Sequence, residues 1–479
     1  MEGARTDSND VVASAGRTGR PVVCVQGLGF VGMAMLLATA SARRPDGSPT
    51  FGVVGVELDT PAGGERAEAI NSGRLPVVSS DPRMDEAMAA AMEAGNLKAT
   101  TDPEAYASAS VAIIDVGLDV GLTDGSPIVD MEPLRGAVRE LASRLPPSSL
   151  ILVETTVPPG TCSMVIAPEI ERALSVRGLP ADSILLAHAY ERVMPGPEYF
   201  NSIVNFWRVY AGHTPEAADA CERFLSAVVN VEDFPLTRLS STTASEMAKV
   251  LENSYRATNI AFMEEWGRFA EAADVDLFEV IDAIRVRPTH SNIRQPGFGV
   301  GGYCLTKDAL FAEYGARELL GFDRLEFPFA ERALEINRVM PLVTLDKLED
   351  LLGGLEGKRL LLLGVSYREG VADTRESPSR TFATEARGRG ADVVAHDPLV
   401  ADWDLDVELV RELPTADGFD AVVFAVPHGE YAGLDLSDWL GSAGPLVVDA
   451  NRVLGEEQLR KLAEDGRDVW SIGRGRISA

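Results

Sequence analysis

The sequence predicts an α/β protein built from two doubly wound parallel-sheet domains joined by a long central helical segment. Three observations predict it. Short apolar runs alternate with helix-forming stretches in the first half of the chain and again in the last third, the pattern of parallel strands with crossover helices. The first run leads into a Gly-x-Gly-x-x-Gly turn and a helix-forming stretch, as in Rossmann-like domains. Between the alternating halves, the segment from Thr243 to about Ala273 has no proline and no glycine before Gly267, which reads as one long helix.

Taken in order, Met1–Arg20 is small, polar and rich in Gly, Ser and Ala, with no apolar signal-peptide core, and is expected to be a disordered leader. Residues 21–212 form the expected dinucleotide-binding domain. Its strands are expected at Val22–Val25, Val53–Val56, Val111–Val116, Leu150–Val153 and Ile184–Ala187, with helices at Asp85–Ala94 and Val129–Arg144 between them. Residues 213–345 hold the helical segment. Residues 346–479 restart the alternation at Leu360–Leu363, Val393–Ala395, Ala421–Val426 and Leu446–Val448, after a linker marked by Gly353, Gly354 and Gly357.

The 479 residues include 73 acidic and 44 basic ones, a formal charge of −29. That excess argues against a nucleic-acid partner, because neutralising phosphates needs a basic face, and against an anionic membrane surface. No apolar stretch approaches the roughly 18–20 residues of a spanning helix. Four cysteines make no disulfide framework and point to a reducing compartment, so a cytoplasmic protein is expected. The five histidines are scattered and no Cys-x-x-Cys occurs, so no metal site is expected.

The turn is Gly27-Leu28-Gly29-Phe30-Val31-Gly32, after the strand Val22–Gln26 and before the helical run Met33–Ala42. Its glycines permit a tight turn and close backbone approach to a pyrophosphate on the helix N-terminus. Glu57 ends the next strand, 25 residues after Gly32, with Arg43–Thr50 as a loop insertion. An acid there would bond a ribose 2′-OH and favours NAD as cofactor, although Arg43 and Arg44 lie near.

A second glycine-rich stretch runs Pro296-Gly297-Phe298-Gly299-Val300-Gly301-Gly302-Tyr303-Cys304-Leu305-Thr306-Lys307-Asp308. Gly299, Gly301 and Gly302 expose backbone N–H groups and would let a phosphate approach. Cys304 follows them at the expected start of a helix over Leu305–Leu320, where a thiol is made nucleophilic. Asp308, four residues on, shares its helical face and could handle protons. Cys24, Cys162 and Cys221 sit in a strand, a turn and an amphipathic helix, settings of packing cysteines.

These segments resemble the UDP-glucose/GDP-mannose dehydrogenase family over nearly the whole chain after residue 20. Five carry the resemblance in the family's order: the Gly27–Gly32 turn, Glu154–Thr161, Glu246–Asn253, the Gly299–Asp308 loop, and Gly364–Arg368 continuing through Asp373–Pro378. The resemblance implies NAD-dependent oxidation of a nucleotide-sugar C6 alcohol to a carboxylate in four electrons. It implies NAD on the first domain, sugar nucleotide against the last, and a homodimer formed through the central helices. Residue by residue, Cys304 matches the nucleophile that forms a thiohemiacetal and then a thioester. Lys249 and Asn253 match the pair that holds the developing oxyanion, spaced i,i+4 on one helical face. Asp308 matches the proton-handling aspartate, Glu191 the glutamate that assists water, and Thr156 a threonine beside the nicotinamide. Lys307 and Arg375 match positions near the ligand.

The chain also departs from the family pattern. The Thr-Pro usual after the third strand is replaced within Val116–Gly121, Tyr303 precedes the cysteine, Tyr190 precedes Glu191, and Pro195 stands where the UDP-glucose branch has a second glutamate. Pro195-Gly196, Glu252–Arg256, Asn259–Phe262 and Asn292–Gly297 are more similar to the branch acting on UDP-N-acetylhexosamines. His290 occupies the place of an arginine that reaches the sugar from a partner subunit. Two other readings stay open on the sequence alone: a two-electron dehydrogenase on this scaffold, and a nucleotide-sugar-binding relative without catalysis.

Overall fold

Runs of consecutive apolar residues become strands buried on both faces, as parallel sheets require. The computed structural model describes residues 19–123, 125–441 and 444–477, so the expected leader lies outside the described residues except for Gly19 and Arg20. The chain forms two compact units. One runs up to Leu251 and takes in Leu310–Glu326; the other comprises Glu252–Ala309 and everything from Phe327 onward.

The strands of the first unit are β1 (Val22–Gln26), β2 (Gly52–Val56), β3 (Leu97–Thr100), β4 (Ala109–Ile114), β5 (Val120–Thr123), β6 (Ser126–Val129), β7 (Leu150–Val153), β8 (Leu185–Tyr190), β9 (Val209–Gly212) and β10 (Thr237–Arg238). Eight of them form one sheet in the order β10-β9-β8-β7-β4-β1-β2-β3, and β5 pairs with β6 as a separate hairpin. All five expected strands are present. The sheet is parallel except where β9 runs antiparallel to β8. The order reverses between β1 and β4, which puts a ligand crevice at the carboxyl ends of those strands. The helix Phe30–Ser41 after β1 is buried from Gly32 to Ala40, and its apolar character all round is that of a core helix.

In the second unit the strands are β11 (Arg359–Leu363), β12 (Asp392–His396), β13 (Glu408–Val410), β14 (Ala421–Phe424), β15 (Leu446–Asp449), β16 (Val469–Ser471) and β17 (Gly475–Ile477). Their order, β13-β12-β11-β14-β15-β16-β17, is the doubly wound one expected, closed by an antiparallel β17. The helix Pro328–Leu352 ends at Gly353, whose φ of 70° is the left-handed cap that glycine supplies. The long helix is observed as Thr242–Ala272 and contributes residues to both units.

One expected element is corrected. The helix anticipated over Leu305–Leu320 is absent at its start: residues 303–309 form turns, the α-helix covers only Leu310–Tyr314, and Gly315–Leu319 is a wider π turn. Side chains compete with the helical ladder there. Thr306 Oγ1 donates to Gly302 O at 2.8 Å, and Asp308 Oδ2 accepts from Asn253 Nδ2 at 2.8 Å. Further on, a Cβ on Gly315 would meet Pro159 O at 2.6 Å, so the chain widens where it passes that proline.

Candidate active site

In the first unit the carboxyl edge of the sheet carries the groups that suit a dinucleotide. Gly27 takes a φ of 89°, and a Cβ there would meet Asp115 O at 2.8 Å; a Cβ on Gly32 would lie 1.8 Å from Gly27 O. Gly29 opens on clear space and caps the helix Phe30–Ser41 without any side-chain hydrogen bond. Such a helix start suits an anion. Glu57 Oε1 accepts from Leu28 N–H at 2.8 Å and from Arg66 at 3.2 Å. Phe30 O accepts from the Tyr199 hydroxyl, and Val31 lies half-buried beside it. These residues fit NAD: a cradle that any side chain would fill, and an acid at the end of β2.

Three more acids follow neighbouring strands: Asp115 after β4, Glu154 after β7 and Glu191 after β8. Glu154 is fully buried and paired with Arg208. Glu191 accepts from Lys249 Nζ at 3.2 Å, and the same ammonium donates to Glu191 O at 2.8 Å. Both side chains of that pair are 9% exposed, and Val193 N–H donates to the other Glu191 oxygen. Lys249 also stands 5.4 Å from the Tyr190 ring centroid, so the tyrosine that departs from the family pattern flanks its cation. Burial, followed by the Lys249 charge, pushes His188 down to about 3, so this histidine stays neutral while Ser245 Oγ holds its Nδ1 at 2.8 Å. Thr156 is half-buried in the segment leaving β7. Glu246, on the same helix as Lys249, accepts from Gly160 N–H at 2.6 Å and Cys162 N–H at 2.7 Å. It thereby ties the Glu154–Thr161 motif to the helix that carries Lys249.

In the second unit the structure gathers residues around Cys304, which is exposed where the other three cysteines are buried. Asp308 is 1% exposed and bonded by both Asn253 and Lys307, the latter at 3.2 Å. Tyr303 lies beneath two cations, Lys307 at 4.1 Å and Arg375 at 5.5 Å from its ring centroid. Arg375 is held by Asp373 at 2.6 Å. Its guanidinium is raised first by that bond, with the Cys304 charge contributing. The turn glycines are explained by packing as much as by any ligand. A Cβ on Gly299 would meet Pro378 at 2.9 Å, one on Gly301 would meet Glu376 O at 2.7 Å, and one on Gly302 would meet the Tyr367 ring at 2.9 Å. His290 ends the short turn Pro288–His290, exposed and bonded to Thr289 at 2.9 Å.

Two groups gain weight only in the structure. Arg256 is lowered by burial and by its neighbours Arg294 and Arg368, against the pull of Glu252 and Cys304, so one buried cation stands within reach of the thiol's charge. Asp115 has both carboxyl oxygens shut off from solvent and without a hydrogen-bond partner. Its one signal in the sequence is an acid inside the apolar run Val111–Val116. No helix among the described residues is long and apolar enough to cross a membrane.

Models of the UDP-glucose/GDP-mannose dehydrogenase family match three stretches: its NAD binding domain over residues 22–228, its central domain over 243–339 and its UDP binding domain over 361–456. A UDP-N-acetyl-D-mannosamine dehydrogenase of Methanocaldococcus jannaschii is 29% identical, covering 95% of this chain and 97% of that one. An NDP-N-acetyl-D-galactosaminuronic acid dehydrogenase of Ralstonia nicotianae is 28% identical, covering 86% and 92%. Among solved structures, the UDP-D-ManNAc dehydrogenase of Pyrococcus horikoshii superimposes with a TM-score of 0.78 at 27% identity, covering 95% and 99%. A UDP-glucose dehydrogenase of Pyrobaculum islandicum gives 0.77 at 27% identity, covering 91% and 95%.

Proposed function

The chain belongs to the UDP-glucose/GDP-mannose dehydrogenase family of NAD-dependent nucleotide-sugar oxidoreductases, and we propose that it takes a UDP-N-acetylhexosamine from the C6 alcohol to the carboxylate in four electrons. One observation carries this reading: Cys304 alone of the four cysteines is exposed, with Arg256 and Arg375 within reach of its charge. Relatives that act on UDP-N-acetyl-D-mannosamine support the sugar class.

Bound NAD supplies the hydride acceptor, one molecule for each two-electron oxidation. The protein's own residues do the rest. Lys249 and Asn253 present an ammonium and an amide from one helical face to the developing C6 oxyanion. Asp308, bonded to Asn253, takes the proton leaving the alcohol. Cys304 Sγ then adds to the C6 aldehyde, forming a C–S bond as the C=O π bond breaks, and its thiol proton goes to the former carbonyl oxygen. Oxidation of this thiohemiacetal gives a thioester. Glu191 draws a proton from water as it attacks, the C–S bond breaks, and the thiolate departs with the carboxylate released. Lys307, Arg375, His290 and the Gly299–Gly302 backbone are assigned to the nucleotide sugar.

We assign residues 21–212 to the cofactor, 213–345 to dimerisation and 346–479 to the nucleotide. The long helix exposes Leu251, Tyr255, Phe262, Trp266 and Phe269, a stripe at helical spacing that a second copy would cover. A cytoplasmic location would keep Cys304 reduced. The test is NADH formed per sugar consumed across a panel of UDP, dTDP and GDP sugars. The wild type is expected to give two, and Cys304→Ser to lose acid formation by about a thousandfold or more. A ratio of one, unchanged by the substitution, overturns the reading.

A further inference from the structure

Asp115 is a carboxyl where the fold needs none. Its N–H donates to Gln26 O, the end of β1, at 2.9 Å. In the second sheet the equivalent bond, to Leu363 O at the end of β11, comes from Ala425, also at 2.9 Å. The same strand junction thus buries a methyl group in one sheet and an acid in the other.

The position of that acid is specific. Asp115 O stands 2.8 Å from where a Gly27 Cβ would be, and Asp115 Cβ stands 3.3 Å from where a Gly32 Cβ would be. It is packed directly against the first and last glycines of the turn, at the point where strand order reverses. Both its oxygens are buried without a partner. The groups that face it give an ionised form no counter-charge of its own. Glu154 is engaged with Arg208 and Glu191 with Lys249. Burial, then the Glu154 and Glu191 charges, raises Asp115 well above the usual carboxylate range, with Arg208 opposing.

We propose that Asp115 is a protonation gate for the dinucleotide: its neutral carboxyl admits a pyrophosphate to the Gly27–Gly32 turn, and its ionised form repels one. An anion on those backbone N–H groups and a carboxylate behind the glycines would face each other through protein rather than water, where like charges repel strongly. Binding and protonation are then linked, and Asp115 takes up a proton as the ligand binds wherever it is ionised in the empty protein. The inference rests on the NAD reading, and its test separates the two.

The experiment is calorimetric titration of the full-length protein with NAD and with ADP-ribose, which has the pyrophosphate but lacks the nicotinamide. It runs from about pH 6 to about pH 10 in paired buffers of different ionisation enthalpy. Both ligands are expected to weaken by up to about tenfold per pH unit once Asp115 ionises, with up to one proton taken up per ligand. Asp115→Asn and Asp115→Ala should remove the slope and the proton uptake while keeping the affinity seen at low pH. A flat wild-type profile overturns the gate, and so does a slope that persists in both variants. A slope for NAD without one for ADP-ribose also overturns it, since the carboxyl would then be answering to the nicotinamide. Failure of the folded wild type to bind either ligand at any pH overturns the gate together with the NAD reading.

Discussion

The two sheets make the same first turn and use an acid there for opposite ends. Gly27 after β1 and Gly364 after β11 both take positive φ, 89° and 100°. Each gives its N–H to the last residue of the adjacent strand, Val56 O at 3.1 Å and His396 O at 2.8 Å. An acid follows that residue in both cases: Glu57 in the first sheet, Asp397 in the second. Asp397 uses both oxygens on its own surroundings. Oδ2 accepts from Val365 N–H at 2.8 Å and Ser366 N–H at 3.0 Å, with His428 Nε2 at 3.2 Å, while Oδ1 accepts from Leu399 N–H at 2.9 Å and Val400 N–H at 3.1 Å. Glu57 takes one backbone N–H, and both of its bonds fall on Oε1. One methylene makes the difference. Aspartate is short enough to fold back on the N–H groups two and three residues ahead, whereas Glu57 bonds Leu28 and Arg66 through one oxygen only.

The widest separation between these acids should appear in stability. Asp397→Ala removes the acceptor of four backbone N–H groups, three of them buried, and is expected to cost about 4 kcal/mol, since each orphaned donor carries a penalty of its own. Glu57→Ala removes the acceptor of one, beside a half-exposed arginine, and should cost about 1 kcal/mol. Urea unfolding of both variants measures the gap. Equal losses would mean that Glu57 is as structural as Asp397.

Acid sensitivity divides them next. Burial raises Asp397, but hydrogen bonds from His428 and the backbone outweigh it and bring the carboxyl to about 2 from an ordinary 3.8. A depressed carboxylate contributes stability that is fully present above its unfolded value and lost as pH falls through its folded one. Stability should therefore drop by about 2 kcal/mol on acidification from about pH 4 to about pH 2 through this group alone. Asp397→Asn should show that much less acid dependence than the wild type, read from urea midpoints at each pH. An unchanged acid limb in the variant would remove Asp397 as its source.

How far such differences were legible in the sequence depends on whether they are local. Buried strands announced themselves because Leu360–Leu363 or Leu150–Val153 need no partner to read as apolar runs, and the Gly27–Gly32 turn because only glycine fits it. The isolation of Asp115 could not be read in this way, since it depends on Arg208, remote in the chain, already being engaged by Glu154. Nor could the loss of helix after Cys304, where the Thr306 hydroxyl bonds Gly302 O in place of a backbone partner. The Gly299–Gly302 glycines also pack against Pro378, Glu376 and Tyr367, a packing that no spacing rule reports.

The smallest effect sharpens the contrast most. Glu57→Gln keeps an oxygen that can accept from Leu28 N–H, so the turn and the stability should hold to within about 0.5 kcal/mol. What it removes is charge. A carboxylate accepts hydroxyl hydrogen bonds about twice as strongly as an amide, so NAD affinity should fall about fivefold to tenfold, or about 1 kcal/mol. NADP should lose less, because the glutamate that repelled its 2′-phosphate is now neutral. Titrating wild type and variant with both dinucleotides gives the four constants needed. A variant that binds NAD as the wild type does would leave Glu57 with no role beyond Leu28, and the two turns would then differ only in how many N–H groups their acid holds.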